Sequence, residues 1–583
     1  MSINKFIQNI LVIMLMGCVG LSSQAEVSPS RVIETDVLIY GATPSGVVAA
    51  MTVQQKGKTA TIVEPGRWVG GILGAGLKPV QDMPNYAAVG GITRELMFSL
   101  GVRSDQANPP ESEVRRLSRE EMSPRELRED FLKLIEENEI NLIYDHRINR
   151  VVKDGAALKE AVFDLAPFHE MGRPVAEVEK YENLRVKADI FIDASYDGDL
   201  MARSGVSYQV GRESTLDYDE VYAGVRPISS SEDLGSSSYE LGNITPISPF
   251  VDADDPDSGL LPMVENDHGK DLGAGDHYTQ AYNFRYYITA DPERKAPITK
   301  PEDYDALDFE LVGRYVEFLK SEFPDEEELF ERLSRIFPGW LNAGEYNYHR
   351  KSLITMAPLG ISQLYANGDY ATKAAIWKEY QDYLRGLHHF LSTDPRVPEK
   401  FREKTASLGF DKTHHPDTAG WPNQLYIRVS RRLVGEYTLT EHDVFNRTQI
   451  EDPVGLAQYG VDTYPSRRIW LEEDGVYYVA IEGNMFVGGV KGPTNRPYPI
   501  PYRSLTPPKR EASNLLVPVL FSATHVAYAS ARMEPTFMIL GESAAVAAVQ
   551  AIEDSVAVQD IDLSKFLGEL EERGQRLDWE VSE

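Results

Sequence analysis

Cysteine is almost missing from this chain: of 583 residues one is Cys, at position 18. Met1–Ala25 reads as a leader, so the mature chain after Ala25 carries none. Disulfides, iron–sulfur clusters, Cys-type zinc sites and thiol nucleophiles are thereby excluded. Positive charge is also scarce, with 59 Lys and Arg against 90 Asp and Glu and a formal net charge of -31. Phosphate backbones and anionic headgroups are repelled by such a surface, so neither nucleic acid nor a membrane surface is expected as partner. Beyond the leader no segment reads as apolar enough, for long enough, to span a bilayer. Metal-binding patterns are lacking as well. Neither His388-His389 nor His414-His415 has the i, i+4 spacing of a helical zinc pair, and Asp252–Asp257 lacks the glycine and glutamate of a calcium loop, so no catalytic metal is expected.

The leader has one early lysine, Lys5, an apolar stretch from Ile10 to Leu21, and Ser23-Gln24-Ala25 ahead of Glu26. This is the layout of a secretory signal peptide, and it predicts a periplasmic or secreted protein. A second processing site remains open at Leu15-Met16-Gly17-Cys18, where Cys18 would be lipidated. Without a twin arginine, the general secretory route is expected.

The richest segment runs from Asp36-Val37-Leu38-Ile39-Tyr40 into Gly41-Ala42-Thr43-Pro44-Ser45-Gly46, a helix-like stretch, and Ala60-Thr61-Ile62-Val63-Glu64. A buried strand feeds a tight glycine turn, Pro44 suits a first helical turn, and the helix N-terminus would face a pyrophosphate. Glu64 closes the second strand at the distance where a carboxylate accepts from a ribose diol. The segment therefore reads as a dinucleotide-binding βαβ unit, with Thr43 in place of the usual middle glycine. Trp68 to Leu77 then interleaves glycine with apolar residues, as a loop that lets backbone approach a ligand or one that is merely flexible.

Further along, Pro124–Asn138 reads as an amphipathic helix, Leu142–Tyr144 as a short strand, and Ala188–Ser195 as a buried strand turning into a helix at Gly198-Asp199. Between about Thr215 and Arg503 the composition shifts to Pro, Gly, Tyr and Asp, as in an inserted domain. Gln280–Thr289 alternates, with Asn283 and Arg285 on a face that either lines a pocket or is solvated. Asn514–Val519 reads as a strand. A helix over His525–Arg532 would bring those two side chains near one face, and a long small-residue helix starts at Pro535.

Gly41–Gly46, Glu64 with Gly70-Gly71, Ile192–Asp199, Gln280–Arg285, Pro499–Leu505 and Arg532–Pro535 together resemble a bacterial family of FAD-dependent oxidoreductases, often exported, some of whose members are labelled xanthan lyases. The resemblance runs from about Asp36 to Ala548. It implies a glutathione-reductase-like flavoprotein: an α/β fold with a Rossmann-like FAD-binding domain built from both chain ends and an inserted mixed α+β substrate domain. The expected boundaries are 34–214 and 505–552 for the FAD domain, 215–504 for the insertion and 553–583 for a tail. Gly41, Thr43, Ser45, Gly46, Glu64, Gly70, Gly71, Ala194, Ser195 and Asp199 fall on the family's cofactor positions.

With no second glycine fingerprint, a nicotinamide domain is not expected. The reading is oxidation of a sugar-like or other small polar substrate by hydride transfer to flavin N5, with a quinone, a carrier protein or oxygen as acceptor. His525 is the expected base, or else a neutral histidine packed on the flavin. Arg532 would stabilise anionic flavin or a substrate carboxylate, or pair with Glu534; Arg285 is a weaker catalytic candidate, and Arg432 would pair with Glu436 on a helix. A flavin- or glycan-binding accessory protein, or a lyase, are the competing functions.

Overall fold

The computed structural model describes residues 31–103, 122–229, 244–337, 345–346, 352–488 and 496–579. The expected signal peptide and Cys18 lie outside the described residues. Two compact units share the chain. One holds Ser28–Ala223, Ile427–Asp462 and Val487–Glu583, the other Gly224–Tyr426 and Thr463–Phe486.

In the first unit, strands β1 (Arg31–Tyr40), β2 (Ala60–Val63), β3 (Asn141–Ile143), β4 (His146–Asp154), β5 (Ala157–Leu165), β6 (Lys180–Asp193) and β7 (Leu515–Leu516) form one sheet. Its order is β3-β2-β1-β6-β5-β4, with β7 also on β6. β3, β2, β1, β6 and β7 run parallel, while β4 and β5 form an antiparallel hairpin. The long strand β6 serves both parts. Its first half pairs with β5, and its last residues, Phe191 and Ile192, pair with Leu515 and Leu516. The hairpin falls where charged residues dominate the sequence, yet most of its residues are buried or half-buried, with only Val152, Asp154 and Lys159 exposed.

Helix α1 (Pro44–Gln55) follows β1 and is buried from Pro44 to Val53. Thr43 caps it, accepting from the Gly46 N–H, and Pro44 occupies its first turn, where a missing N–H leaves no gap. Helix α2 (Gly91–Ser99) and helix α3 (Pro124–Glu137) come next; α3 starts with a capping box in which Ser123 and Glu126 satisfy each other's end. A short helix α4 (Asp199–Arg203) leaves β6. Near the C-terminus, α5 (His525–Ala531) and α6 (Glu534–Asp554) follow β7. α6 packs along α1 so closely that a Cβ on Gly541 would lie 2.4 Å from the Ser45 carbonyl oxygen. By length and composition α6 is apolar enough to cross a bilayer, which the sequence reading missed; it is almost wholly buried and serves as the unit's core helix.

Residues expected as a tail are folded here. α7 (Leu563–Glu572) buries Phe566 and Leu570, and Phe566 meets the Tyr502 ring at 4.9 Å. Residues 427–462 also belong to this unit, so the inserted unit is two segments where the sequence suggested one.

The second unit is mixed α+β. A four-stranded sheet includes Tyr286–Thr289 and Gly409–Asp411, and a three-stranded one is centred on Val476–Glu482. Its longest helix is Tyr370–Thr393. Trp421 is wholly buried among Phe284, Phe410 and Tyr286, with ring centroids 5.0–6.0 Å away. Asp252–Asp257 is an exposed turn.

Candidate functional site

The expected cradle forms where β1 and β6 end side by side, at the carboxyl edge of the parallel strands. Gly41 leaves β1 with φ +101, and a Cβ there would lie 3.1 Å from the Ser195 backbone. A Cβ on Gly46 would sit 2.1 Å from the Gly41 carbonyl oxygen and 3.3 Å from the Ala194 methyl. Both positions therefore require glycine for close approach of helix and strands. Thr43 does not, since its φ of -68 suits any residue. Its hydroxyl accepts from the Gly46 N–H at 3.2 Å and donates to the Ala194 carbonyl at 2.8 Å. The threonine thus ties the helix start to the end of β6, work a glycine could not do.

Ser45 lies in the first turn with its hydroxyl buried toward Gly541, so what it can offer a phosphate is the main chain. Ser195 donates to Asp193 at 2.6 Å and accepts from the Gly198 N–H at 3.0 Å. Asp193 also takes the Ser195 and Met201 N–H groups, which locks the turn. Burial pushes the Asp193 carboxyl up to about 6 against those donors. Asp199 is held by Arg431 at 2.6 Å, and the same guanidinium donates to the Asp197 carbonyl.

Glu64 closes β2 with both carboxylate oxygens engaged, by the N–H groups of Ala42 and Gly66, each at 2.7 Å. Burial pushes it up to about 7, more strongly than those donors pull it down, and Asp197 and Asp145 add to the rise. Gly70 donates its N–H to the Ala42 carbonyl at 2.8 Å, pinning the glycine loop to the cradle. A Cβ on Gly70 would strike the Phe131 ring, and one on Gly71 would lie 2.5 Å from the Tyr196 hydroxyl.

Within the same unit α5 carries His525 in its first turn and ends at Arg532. The His525 N–H donates to Glu213 at 2.8 Å, and the capping residue Thr524 donates its hydroxyl to Glu220 at 2.6 Å. Burial first, then the guanidiniums of Arg432, Arg212 and Arg532, hold the imidazole well below its usual range, so it is neutral. Arg532 donates to the Asp462 carbonyl at 2.8 Å. Glu534, suggested above as its partner, accepts from the Tyr196 hydroxyl at 2.8 Å. Arg432 lies on a two-residue strand and pairs with Glu213 at 2.6 Å, correcting the helical Arg432–Glu436 pairing.

Arg285 belongs to the second unit. Its guanidinium sits 5.4 Å from the centre of the Tyr426 ring, and Asn283 is wholly buried, so this polar face is not a solvated one. The strand begins only at Tyr286.

Sequence reasoning missed Glu213, Glu220, Arg431 and the Tyr196–Glu534 pair as parts of the site. A signal existed only for Glu534, an acid opening a helix otherwise dominated by small and apolar residues.

The first turn of α6 tests the fit of a flavin. Its N-cap, Met533, offers no side-chain bond, and two polar atoms inside that turn, Glu534 Oε2 and Thr536 Oγ1, are buried with no hydrogen-bond partner. A buried helix end of this kind suits a polar ring edge, and the glycine cradle suits a pyrophosphate.

Comparison with known proteins agrees. The profile of the family described as FAD dependent oxidoreductase matches residues 36–570. No curated protein matches. Among solved structures, L-proline dehydrogenase from P. horikoshii is 14% identical over 33% of this chain and 26% of its own, with a TM-score of 0.17. Thermovibrio ammonificans THI4 is 18% identical over 36% and 73%, with a TM-score of 0.21. The 3-ketosteroid-delta4-(5alpha)-dehydrogenase of Rhodococcus jostii RHA1 is 13% identical over 32% and 50%, with a TM-score of 0.19. The matched part thus spans less than two thirds of the first and third of these proteins. With the cradle, the acid closing β2 and a family match across nearly the whole described chain, the protein belongs to the FAD dependent oxidoreductase family and has FAD as its cofactor.

Proposed function

We propose that this enzyme oxidises a small polar, sugar-like substrate outside the cytoplasm and passes the electrons to a quinone, a carrier protein or oxygen. FAD, when bound, supplies the hydride acceptor at N5. Gly41, Thr43, Ser45, Gly46 and Glu64 would hold its adenosine and pyrophosphate portion, and Gly70, Gly71, Ala194, Ser195 and Asp199 the stretch toward the ring.

The observation that carries the reading is His525, a buried neutral imidazole whose charge is opposed by three guanidiniums. A neutral ring has a lone pair for a hydroxyl proton. Imidazolium is costly there until negative charge arrives, and an alkoxide or carboxylate of the substrate supplies it. The two events are linked: His525 takes the proton as the anion settles beside Arg532. Glu213 and Thr524 fix the helix turn from which the ring projects. Export is supported by Met1–Ala25 alone, and sequencing the N-terminus of the mature protein tests it.

Anaerobic screening of sugars, uronic acids and small alcohols for flavin bleaching tests the activity. With a substrate in hand, His525→Ala should keep its FAD yet slow bleaching about 10²–10⁴-fold, the range for losing a positioned base. Unsaturated sugar ends formed without bleaching would replace this reading with a lyase. Full rates in both His525→Ala and Arg532→Ala would move the chemistry to other residues, with Arg285 next to test.

A further inference from the structure

Glu534 opens the 21-residue helix α6. It is 4% exposed, and Thr536, two residues on, is 1% exposed. Two hydrogen bonds and one unpartnered oxygen define its state. The Ile72 N–H, next to Gly71 in the glycine loop, donates to the Tyr196 hydroxyl at 3.2 Å. That hydroxyl donates in turn to Glu534 Oε1 at 2.8 Å. Glu534 Oε2 has no partner, and neither does Thr536 Oγ1.

Leaving one buried polar group unsatisfied costs about 1–3 kcal/mol, and two of them share a single helical turn here. The relay starts at the loop next to the cofactor cradle and ends at the orphan oxygen. Burial also raises the Glu534 carboxyl to about 8, against the Tyr196 bond that lowers it. At neutral pH the group is therefore a neutral acid, and its proton resides on the oxygen that Tyr196 does not occupy.

We propose that Glu534 and Thr536 are FAD-contacting residues, with Glu534 acting as a neutral carboxylic acid that donates Oε2–H to an acceptor atom of the bound cofactor. The helix end also brings its dipole, positive at the N-terminus. Here the dipole is joined by a side-chain donor, and a carbonyl oxygen or unprotonated ring nitrogen of FAD is the chemistry that satisfies it. The inference rests on FAD as cofactor and is independent of the substrate proposed above.

The test uses the full chain stripped of FAD and reconstituted at neutral pH. Infrared difference spectra of FAD-bound minus FAD-free protein should show a protonated carboxyl C=O band displaced by binding, and Glu534→Gln should lack it. Because an amide can still donate, Glu534→Gln should bind FAD within about threefold of the parent. Glu534→Leu should bind about tenfold more weakly, the loss expected of one buried hydrogen bond, with circular dichroism checking its fold. A parent spectrum from which Glu534→Gln removes no carboxyl band, the band lost when Glu64 releases its proton being expected in both, or FAD affinity unchanged in a folded Glu534→Leu, overturns the proposal alone. A parent protein that takes up no FAD overturns the cofactor assignment with it.

Discussion

At Gly46 a hydrogen stands where any other residue would drive a carbon into the Gly41 carbonyl oxygen. Gly46→Leu must push α1 off β1, and the expected outcome is protein purified without flavin absorbance; normal FAD content would show that the pyrophosphate binds elsewhere. Glu64 gives a pH-dependent prediction. In the proposed binding mode ribose hydroxyls would donate to the ionised carboxylate, while the FAD-free site pushes Glu64 up to about 7. Binding therefore releases a proton, and FAD affinity should fall by up to about tenfold per pH unit below pH 7. Fluorescence titrations should find that slope in the parent and a flat profile in Glu64→Gln, which should also lose about 1.5–3 kcal/mol of FAD affinity above pH 7.

Among the elements, the tie between the strand at Arg432 and the start of α5 is the most exposed to perturbation. Arg432 is wholly buried, donates to Glu213 and to the Gly211 and Ala523 carbonyls, and Glu213 also holds the His525 N–H. Removing one partner leaves the other charge buried, so Glu213→Ala should cost about 3–5 kcal/mol in denaturant unfolding. Replacing both by apolar residues should restore most of that stability without restoring activity, because the His525 N–H still lacks its acceptor. Elements carried by local signals were legible in the sequence. Proline in a first turn, a glycine turn after an apolar strand and an acid at a strand end located α1, β2 and the start of α6 to within a residue or two. The hairpin of β4 and β5 was not, since Arg147, Arg150 and Lys153 interrupt its apolar alternation; Arg147 is buried, donating to the Val175 and Ala176 carbonyls, and Arg150 pairs with Glu182. Nor was the Arg432 pairing, because its partner lies more than two hundred residues away and only the fold joins them.

For the whole molecule, four buried acids point the same way. Asp193 rises to about 6, Glu64 and Glu220 to about 7 and Glu534 to about 8, each chiefly by burial. A raised folded-state value contributes stability that is present below the unfolded value and lost as pH rises through the folded one. Crowding of negative charge, formally -31 at pH 7, acts in the same direction. Below about pH 6.5 the buried neutral histidines His388 and His525 oppose this trend, because they must charge on unfolding. FAD-free protein should therefore melt progressively lower from about pH 6.5 to pH 8, a trend read by thermal scans; a melting temperature rising over that window would contradict the burial of these carboxyls. The dependence of β6 on a strand from the far end of the chain has a further consequence, for biosynthesis. Phe191 and Ile192 present an unpaired apolar edge from the moment they leave the ribosome until Leu515 and Leu516 are made. At about 5–20 residues per second that wait is on the order of half a minute, long enough for edge-to-edge aggregation between nascent chains. Production of this protein should then be limited by holdase chaperones, and slowing translation should lower its soluble yield.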